Sequence, residues 1–100
     1  MSADDFGGFE PPPFDPAQAL RQLQRALRDL RLAERGNGFE LRGRRVAELA
    51  LADGVLQARL ARRPALTPDW DRSTIAGAAA QRHWLAELKK RLARWEQGDD

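Results

Sequence analysis

A chain of 100 residues with 42% hydrophobic side chains can form one small domain, and a domain of this size has only a modest core. It contains no cysteine, which excludes disulfides and thiolate metal sites, and it has no run of about 18 apolar residues that would span a membrane. The net charge of +2 is unevenly placed: residues 16–97 contain all 17 basic residues against nine acidic ones, so this segment carries +8.

The first segment, residues 1–14, is acidic and contains a Gly-Gly pair and three consecutive prolines. Because these residues break helices and strands, we expect a disordered tail. The tail lacks the basic and then apolar order of a signal peptide, so we expect a cytoplasmic protein. Phe6 and Phe9 are unusual in such a tail and are typical of a short docking peptide. Phe14 is expected to fold back onto the domain, and the alternative for Phe9 is that it folds back with Phe14.

An amphipathic helix is predicted to follow the tail. Asp15 is a good N-cap residue, and Pro16 suits the first position of a helix. Leucines then recur at intervals of three and four and form one apolar stripe. They are Leu20, Leu23, Leu27 and Leu30. The Gly-Asn-Gly sequence at residues 36–38 is predicted to end this helix, because Gly and Asn tolerate the left-handed conformation.

Residues 39–63 fit two structures, and the choice between them decides the fold. Asp53 and Gly54 are typical of a two-residue hairpin turn, in which both central residues need positive φ. That turn pairs Ala52 with Val55 and gathers apolar residues on one side of the ribbon, because side chains alternate along a strand. The apolar residues on this side are Phe39, Leu41, Ala47, Leu49, Leu51, Leu56, Ala58 and Leu60.

A helix over residues 44–63 is the alternative. It would place Asp53 in the middle of an apolar face and move Leu51 and Val55 to the opposite face. Its mid-helix glycine would cost roughly 1 kcal/mol of helix propensity. The hairpin explains more residues and ends at Pro64, which lacks a ladder donor. The sequence therefore favours an α+β fold, with an all-α three-helix bundle as the alternative.

A connector over residues 64–71 and a second helix complete the expected fold. Asp71 or Ser73 is predicted to cap this helix. Its apolar face consists of alanine, leucine and tryptophan residues, with Trp84 beside them. They are Ala78, Leu85, Leu88, Leu92 and Trp95. The element order is therefore predicted to be helix, β-hairpin, helix.

One globular domain is expected over residues 15–97, with a frayed C-terminus over residues 98–100. Both edges of the predicted hairpin would be open. Because an open strand edge can pair with another chain, we expect a homodimer.

The sequence offers little for catalysis, metal binding or cofactor binding. His83 is the only histidine, and its spacing to Glu87 indicates a surface contact on a helix. The carboxylates are scattered without the ligand spacing of a zinc site, and there is no Gly-rich phosphate loop after a strand. We therefore expect a protein that is not an enzyme and that holds neither a metal nor a cofactor.

A protein-interaction or adaptor module with an unknown protein partner is the main functional hypothesis. Trp70 lies in the Pro-flanked connector, and Trp is enriched at binding hot spots. Together with Phe6 and Phe9 of the tail, it is the candidate for partner contact.

Nonspecific nucleic-acid binding is the alternative function. The candidate residues lie on the polar side of the hairpin and its flanks, where arginine forks would bind phosphates. They are Arg42, Arg44, Arg59 and Arg63, and a second set of arginines lines the first helix: Arg21, Arg25 and Arg28. Glu40 and Glu48 interrupt this basic strip, and no row of exposed aromatic residues is visible for base stacking.

Overall fold

The computed structural model describes residues 13–97, which form two helices and five strands. In chain order the elements are α1 (Pro16–Asp29), β1 (Ala33–Arg35), β2 (Gly38–Leu41), β3 (Arg44–Ala52), β4 (Val55–Ala65), β5 (Trp70–Ile75) and α2 (Ala78–Glu96). The strands form one antiparallel sheet in the order β1-β2-β3-β4-β5. The predicted α+β class is confirmed, and the all-α alternative is wrong. The helix–hairpin–helix order is also wrong, because three further strands flank the hairpin.

The hairpin formed by β3 and β4 has the predicted turn and register. Asp53 and Gly54 have φ values of 52° and 77°, so both adopt the left-handed conformation that a type I′ turn requires. Pairing runs from Ala52 opposite Val55 to Ala47 opposite Leu60, with no slip. Beyond that point the register shifts, and the pairing resumes at Arg45 opposite Ala65.

Pro64 does not end the second strand, because β4 continues to Ala65. The register shift explains why a proline is tolerated there. On β4, the pairing with β3 stops at Leu60 and resumes only at Ala65. The backbone hydrogen bonds between β4 and β5 end at Arg62, whose N–H donates to the Asp69 carbonyl. Pro64 therefore lies where β4 pairs with neither neighbour, and its missing N–H costs no ladder hydrogen bond.

Phe39 and Leu41 belong to β2 rather than to an extension of β3. Arg42 and Gly43 separate the two strands with φ values of 53° and 81°, so they form a second turn in which both central residues are left-handed. The prediction that both residues face the core is nevertheless right. Phe39 is 1% exposed, and Leu41 packs against the core from a half-buried position.

The first helix ends earlier than predicted, at Asp29. Gly36 and Asn37 form the β1–β2 turn instead, and Gly38 begins β2. Arg31 follows the helix with φ 67°. Its N–H donates to the Arg28 carbonyl and that of Leu32 donates to the Leu27 carbonyl, which is the Schellman arrangement. The motif normally has Gly at the left-handed position, so an arginine there gave no sequence signal for the helix end.

Replacing Arg31 with glycine is expected to raise the unfolding free energy by about 0.5 kcal/mol. The left-handed conformation costs an L-residue roughly 1–2 kcal/mol in the folded state, and glycine avoids this cost. Part of the gain is offset because glycine has more conformational entropy in the unfolded chain. Urea unfolding followed by circular dichroism measures the difference. Arg25→Gly, in the interior of the same helix at an exposed arginine without an ion pair in the described chain, is the control and should lower stability by about 1 kcal/mol. A destabilised Arg31→Gly protein would show that the arginine side chain contributes more than the backbone costs.

The second helix begins at Ala78, after Gly77, and not at Asp71 or Ser73. Both of these residues lie in β5, where Asp71 is opposite Leu60 and Ser73 is opposite Ala58. The predicted connector is therefore only a short loop between β4 and β5, followed by an edge strand.

Both helices cover the same face of the sheet. α1 packs against β3 and β4, and α2 packs against β5. Arg91 of α2 reaches Asp71, which shares a face with its β4 partner Leu60. A 2.8 Å hydrogen bond from Gln81 Nε2 to Gln22 Oε1 joins the two helices side by side.

The hydrophobic core lies between the helices and this face of the sheet. Its largest fully buried side chains are Leu23, Leu27, Phe39, Val46, Leu56, Ile75 and Leu88. Trp84 and Trp95 are also buried, and Phe14 packs against the core as predicted. Leu51, which the hairpin register assigned to the apolar side, is 49% exposed because it lies near the tip beyond the helices.

Candidate interaction surfaces

The face of the sheet opposite the helices is here called the open face. Its centre on the three C-terminal strands consists of Glu48, Ala50, Gln57, Arg59, Arg72 and Thr74, with Ala52 and Val55 at the hairpin tip and Trp70 at the start of β5. Thr74 Oγ1 donates a 3.2 Å hydrogen bond to Gln57 Oε1 across the strands. The centre of the open face is therefore mostly polar.

Charges of opposite sign alternate across the open face and the adjoining β1 and β2 strands. Arg35 Nε lies 3.1 Å from Glu40, and Arg45 lies 3.8 Å from the same carboxylate. Arg45 Nε is 3.0 Å from Glu48, which also binds Arg59 at 3.3 Å. Each exposed pair contributes little to stability, at most about 1 kcal/mol. These ion pairs matter more for binding than for stability, because they leave little of their charge uncompensated and free to attract a partner.

Gly38 makes room for the centre of this series. A Cβ atom built on Gly38 would overlap the Arg45 guanidinium, which therefore lies directly against the β2 backbone. Gly38 is opposite Glu48 in the β2–β3 register, so the guanidinium packs where a side chain would otherwise be. The glycine places Arg45 between Glu40 and Glu48.

The structure separates the four arginines proposed for nucleic-acid binding. Arg42 lies in the β2–β3 turn and Arg44 begins β3, so these two are close together. Arg59 lies in the middle of β4 and binds Glu48. Arg63 lies near the end of β4 and lines a groove at the β4–β5 loop, together with Arg62, Pro64, Ala65, Thr67, Pro68 and Asp69.

The aromatic candidates have different positions. Trp70 is the first residue of β5, opposite Ala61, and it is half-buried against the core instead of lying in a loop. Phe6 and Phe9 lie outside the described residues. No Phe or Trp among residues 13–97 is exposed, so this part of the chain presents no platform for base stacking.

The edges of the predicted hairpin, which suggested a homodimer, are paired within the chain by β2 and β5. The two edge strands of the whole sheet are β1 and β5. β1 has only three residues, and all three are exposed. Short edge strands are poor templates for pairing with another chain. The homodimer stays a prediction, without support from an open hairpin.

A second ionic cluster joins α2 to the sheet. Arg91 is only 15% exposed in its side chain, and it lies 2.9 Å from both Asp71 and Glu87. Its Nη1 also donates to the Ala61 carbonyl at 3.0 Å. Ala61 lies at the register shift between β3 and β4, so Arg91 supplies a donor where the ladder is interrupted. Arg62 completes the cluster, 2.9 Å from Asp71.

The cluster shifts the protonation equilibria of its carboxylates. Hydrogen bonds from Arg62 and then Arg91 lower the pKa of Asp71, and the hydrogen bond from Arg91 lowers the pKa of Glu87. Glu87 and Arg91 are four residues apart on α2, and their side chains are 2.9 Å apart. Glu87 binds this arginine and Lys90, and not His83, which is exposed on α2.

A depressed carboxyl pKa predicts acid sensitivity. Asp71 and Glu87 take up protons more readily in the unfolded chain, so their ionised forms stabilise the fold above a pH of about 4.5. We expect the unfolding free energy to fall as pH drops below that value. Urea unfolding between pH 7 and pH 3 measures the slope. Arg91→Ala should make the slope shallower, because Glu87 loses the hydrogen bond that lowers its pKa while Asp71 keeps only the bond from Arg62. An unchanged slope in that variant would contradict the assignment.

The surface of the two helices that faces away from the sheet carries an excess of positive charge. This outer helix surface has the exposed basic residues Arg21, Arg25, Arg28, Arg82, Lys89, Lys90 and Arg94. Only Asp29 and Glu96 are exposed acids on the two helices, and both lie at C-terminal ends. Arg28 is paired with Glu34 of β1 at 2.9 Å.

A groove lies between the first turns of α1 and α2, here called the helix groove. It has a volume of about 430 Å³ and is lined by Pro13, Phe14, Asp15, Gln18, Ala19, Gln22, Gly77, Ala78 and Gln81. Apolar and small side chains dominate this lining, and the Gln22–Gln81 hydrogen bond links its two walls. Asp15 is its one carboxylate, and Oδ1 of that side chain accepts from the Ala17 and Gln18 N–H groups as the helix cap.

Three arginines flank the helix groove and are here called the basic rim: Arg21, Arg25 and Arg82. Residues three and four apart share a side of a helix, so Arg21 and Arg25 follow Gln18 and Gln22, and Arg82 follows Ala78. All three are exposed, and none has an ion pair with another residue of the described chain. The sequence showed the arginines of α1, but not that α2 lies beside them.

Residues 13–97 contain no cluster of three or more potential metal ligands. Within the same range, no helix is long and apolar enough to cross a membrane. No family model, curated protein or solved structure matches this chain.

Proposed function

We propose that this protein is a non-enzymatic protein-interaction module, and that it binds an acidic segment of a partner protein in the helix groove. The observation that carries the proposal is a group of unpaired arginines beside an apolar groove. Glu40 and Glu48 pair with arginines of β1, β3 and β4, whereas Arg21, Arg25 and Arg82 of the basic rim have no ion pair among the described residues. Uncompensated charge of one sign attracts a ligand of the opposite sign.

The groove between these arginines favours a peptide over a nucleic-acid backbone. Its lining includes Pro13, Phe14 and Ala78, so it offers apolar surface that a phosphate chain cannot use. A peptide with carboxylates and one or two apolar side chains can bury the latter in the groove and place the former on the basic rim. The exposed surface of residues 13–97 lacks aromatic rings to stack on bases.

Fluorescence anisotropy with two probes tests this function. One probe is a labelled synthetic peptide with six Asp or Glu residues and two Phe residues, and the other is a labelled 20-base-pair DNA duplex. We expect the full chain to bind the peptide more tightly than the duplex, with affinity that falls as salt rises. Tighter binding of the duplex would identify a nucleic-acid-binding protein and overturn the proposal, as would the absence of peptide binding.

A matched pair of charge-reversal variants locates the site. Arg25→Glu/Arg82→Glu changes the basic rim, and Arg44→Glu/Arg72→Glu makes the same change in net charge away from the helix groove, at exposed arginines without an ion pair in the described chain. The first variant is expected to weaken peptide binding by about tenfold or more and the second by less than about threefold. Equal losses would mean that only the overall charge matters.

A further inference from the structure

We propose that the chain's own N-terminal segment, residues 1–12, binds in the helix groove of the same molecule, so that a partner must displace it. The proposal rests on the proposed function in using the same groove and the same basic rim. It adds that the groove is occupied before the partner arrives, which makes partner binding a competition.

The position of the segment is the first reason. Pro13 and Phe14 follow it directly, and both line the helix groove. Phe14 is also packed against the hydrophobic core, which fixes the point from which residues 1–12 extend. Twelve residues reach up to about 40 Å when extended, whereas the 14 residues of α1 span about 21 Å. The segment is therefore long enough to follow the groove past all three arginines of the basic rim.

The chemistry of the segment is the second reason. It contains Asp4, Asp5 and Glu10 and no basic side chain, so its charge is opposite to that of the basic rim. Phe6 and Phe9 lie between these acids and match the apolar lining of the groove. The segment thus has the composition expected of the partner peptide.

Covalent attachment is the third reason. A short tether holds a ligand at an effective concentration in the millimolar range, so a weak contact is enough to fill the groove most of the time. A separate partner would then bind with an apparent affinity reduced by the fraction of molecules whose groove is free.

Paramagnetic broadening in NMR spectra tests the contact. The chain has no cysteine, so Ser2→Cys creates a single site for a nitroxide label. We expect the amide signals of Gln22, Ala78 and Gln81 to lose most of their intensity, while those of Gln57 and Thr74 on the open face keep theirs. Reduction of the nitroxide should restore all signals, and high salt should restore those of the groove in part. Broadening without preference for the groove would overturn the proposal.

Two further samples separate the competing explanations. Phe6→Ser/Phe9→Ser in the labelled chain should remove the broadening at the groove, because the apolar contacts are lost. A mixture of nitroxide-labelled chain and isotope-labelled chain without a nitroxide should show no broadening. Broadening in that mixture would mean that a second copy supplies the segment, which contradicts binding within one molecule.

Peptide binding to the Phe6→Ser/Phe9→Ser protein distinguishes this inference from the proposed function. If residues 1–12 compete, this variant should bind the acidic peptide about tenfold more tightly than the natural chain. Tight peptide binding at the groove without any gain in the variant would reject the competition and keep the proposed function. No binding to the variant would reject the proposed function itself.

Discussion

Leu56→Ala is expected to lower the unfolding free energy by about 2–5 kcal/mol, whereas Leu51→Ala should cost less than about 1 kcal/mol. The two leucines are direct partners in the β3–β4 register. Leu56 is completely buried and Leu51 is 49% exposed. The same substitution removes the same atoms in both variants, so the difference reports how far the core extends toward the tip of the hairpin.

Urea unfolding at one protein concentration measures both variants, with the midpoint and the slope compared to those of the natural chain. Equal losses would show that Leu51 is buried, either under the helices or against another molecule. A concentration-dependent midpoint in the natural chain, lost in Leu51→Ala, would support the homodimer predicted from the sequence and place its contact at the hairpin tip.

Arg91→Ala is expected to lower the unfolding free energy by about 2–3 kcal/mol, the second large effect. Arg91 binds Asp71, Glu87 and the Ala61 carbonyl from a position that is only 15% exposed. Its removal leaves the Ala61 carbonyl without its hydrogen-bond donor, and Asp71 and Glu87 lose the one guanidinium that binds both carboxylates. Because these contacts join α2 to two strands, no other side chain of the helix replaces them.

Two control variants make the Arg91 result specific. Arg94→Ala removes an exposed arginine of the same helix that has no ion pair with another described residue, and it should change stability by less than about 0.5 kcal/mol. Arg91→Lys keeps the charge but lacks the fork that reaches three acceptors, so an intermediate loss is expected. A loss in Arg94→Ala as large as that in Arg91→Ala would show that the helix needs positive charge in general and not the contacts of Arg91.

The hairpin could be predicted because its determinants are local. Asp53 and Gly54 supply the turn, and strict alternation on both sides supplies the register. β2 was missed because its turn uses Arg42 before Gly43, which lacks the Asn or Asp that usually marks a type I′ turn. The helix end before β1 was missed for the same reason, with Arg31 at the left-handed position.

β5 was not predicted because the residues on its core-facing side do not form an apolar series. Asp71 and Ser73 occupy positions on the helix-covered face, followed by Ile75. Asp71 is tolerated there because Arg62 and Arg91 bind its carboxylate. Those two partners come from β4 and α2, so the compensation is invisible in the local sequence.

The helix groove could not be predicted because it depends on contacts between distant parts of the chain. Gln22 and Gln81 form its walls and are far apart in the sequence. The excess of basic residues in residues 16–97 was read from the sequence, whereas the position of Arg82 beside the arginines of α1 was not. The hairpin register places Glu48 opposite Arg59, and their ion pair compensates part of the charge of the open face.

Amide chemical-shift mapping of the full chain during titration with the acidic peptide shows directly whether the helix groove is the binding surface. If the helix groove is the binding surface, the largest shifts will fall on Gln18, Gln22, Ala78 and Gln81, and they will disappear in Arg25→Glu/Arg82→Glu. The largest shifts on Gln57, Arg59, Arg72 and Thr74 would instead place the binding surface on the open face and contradict the account.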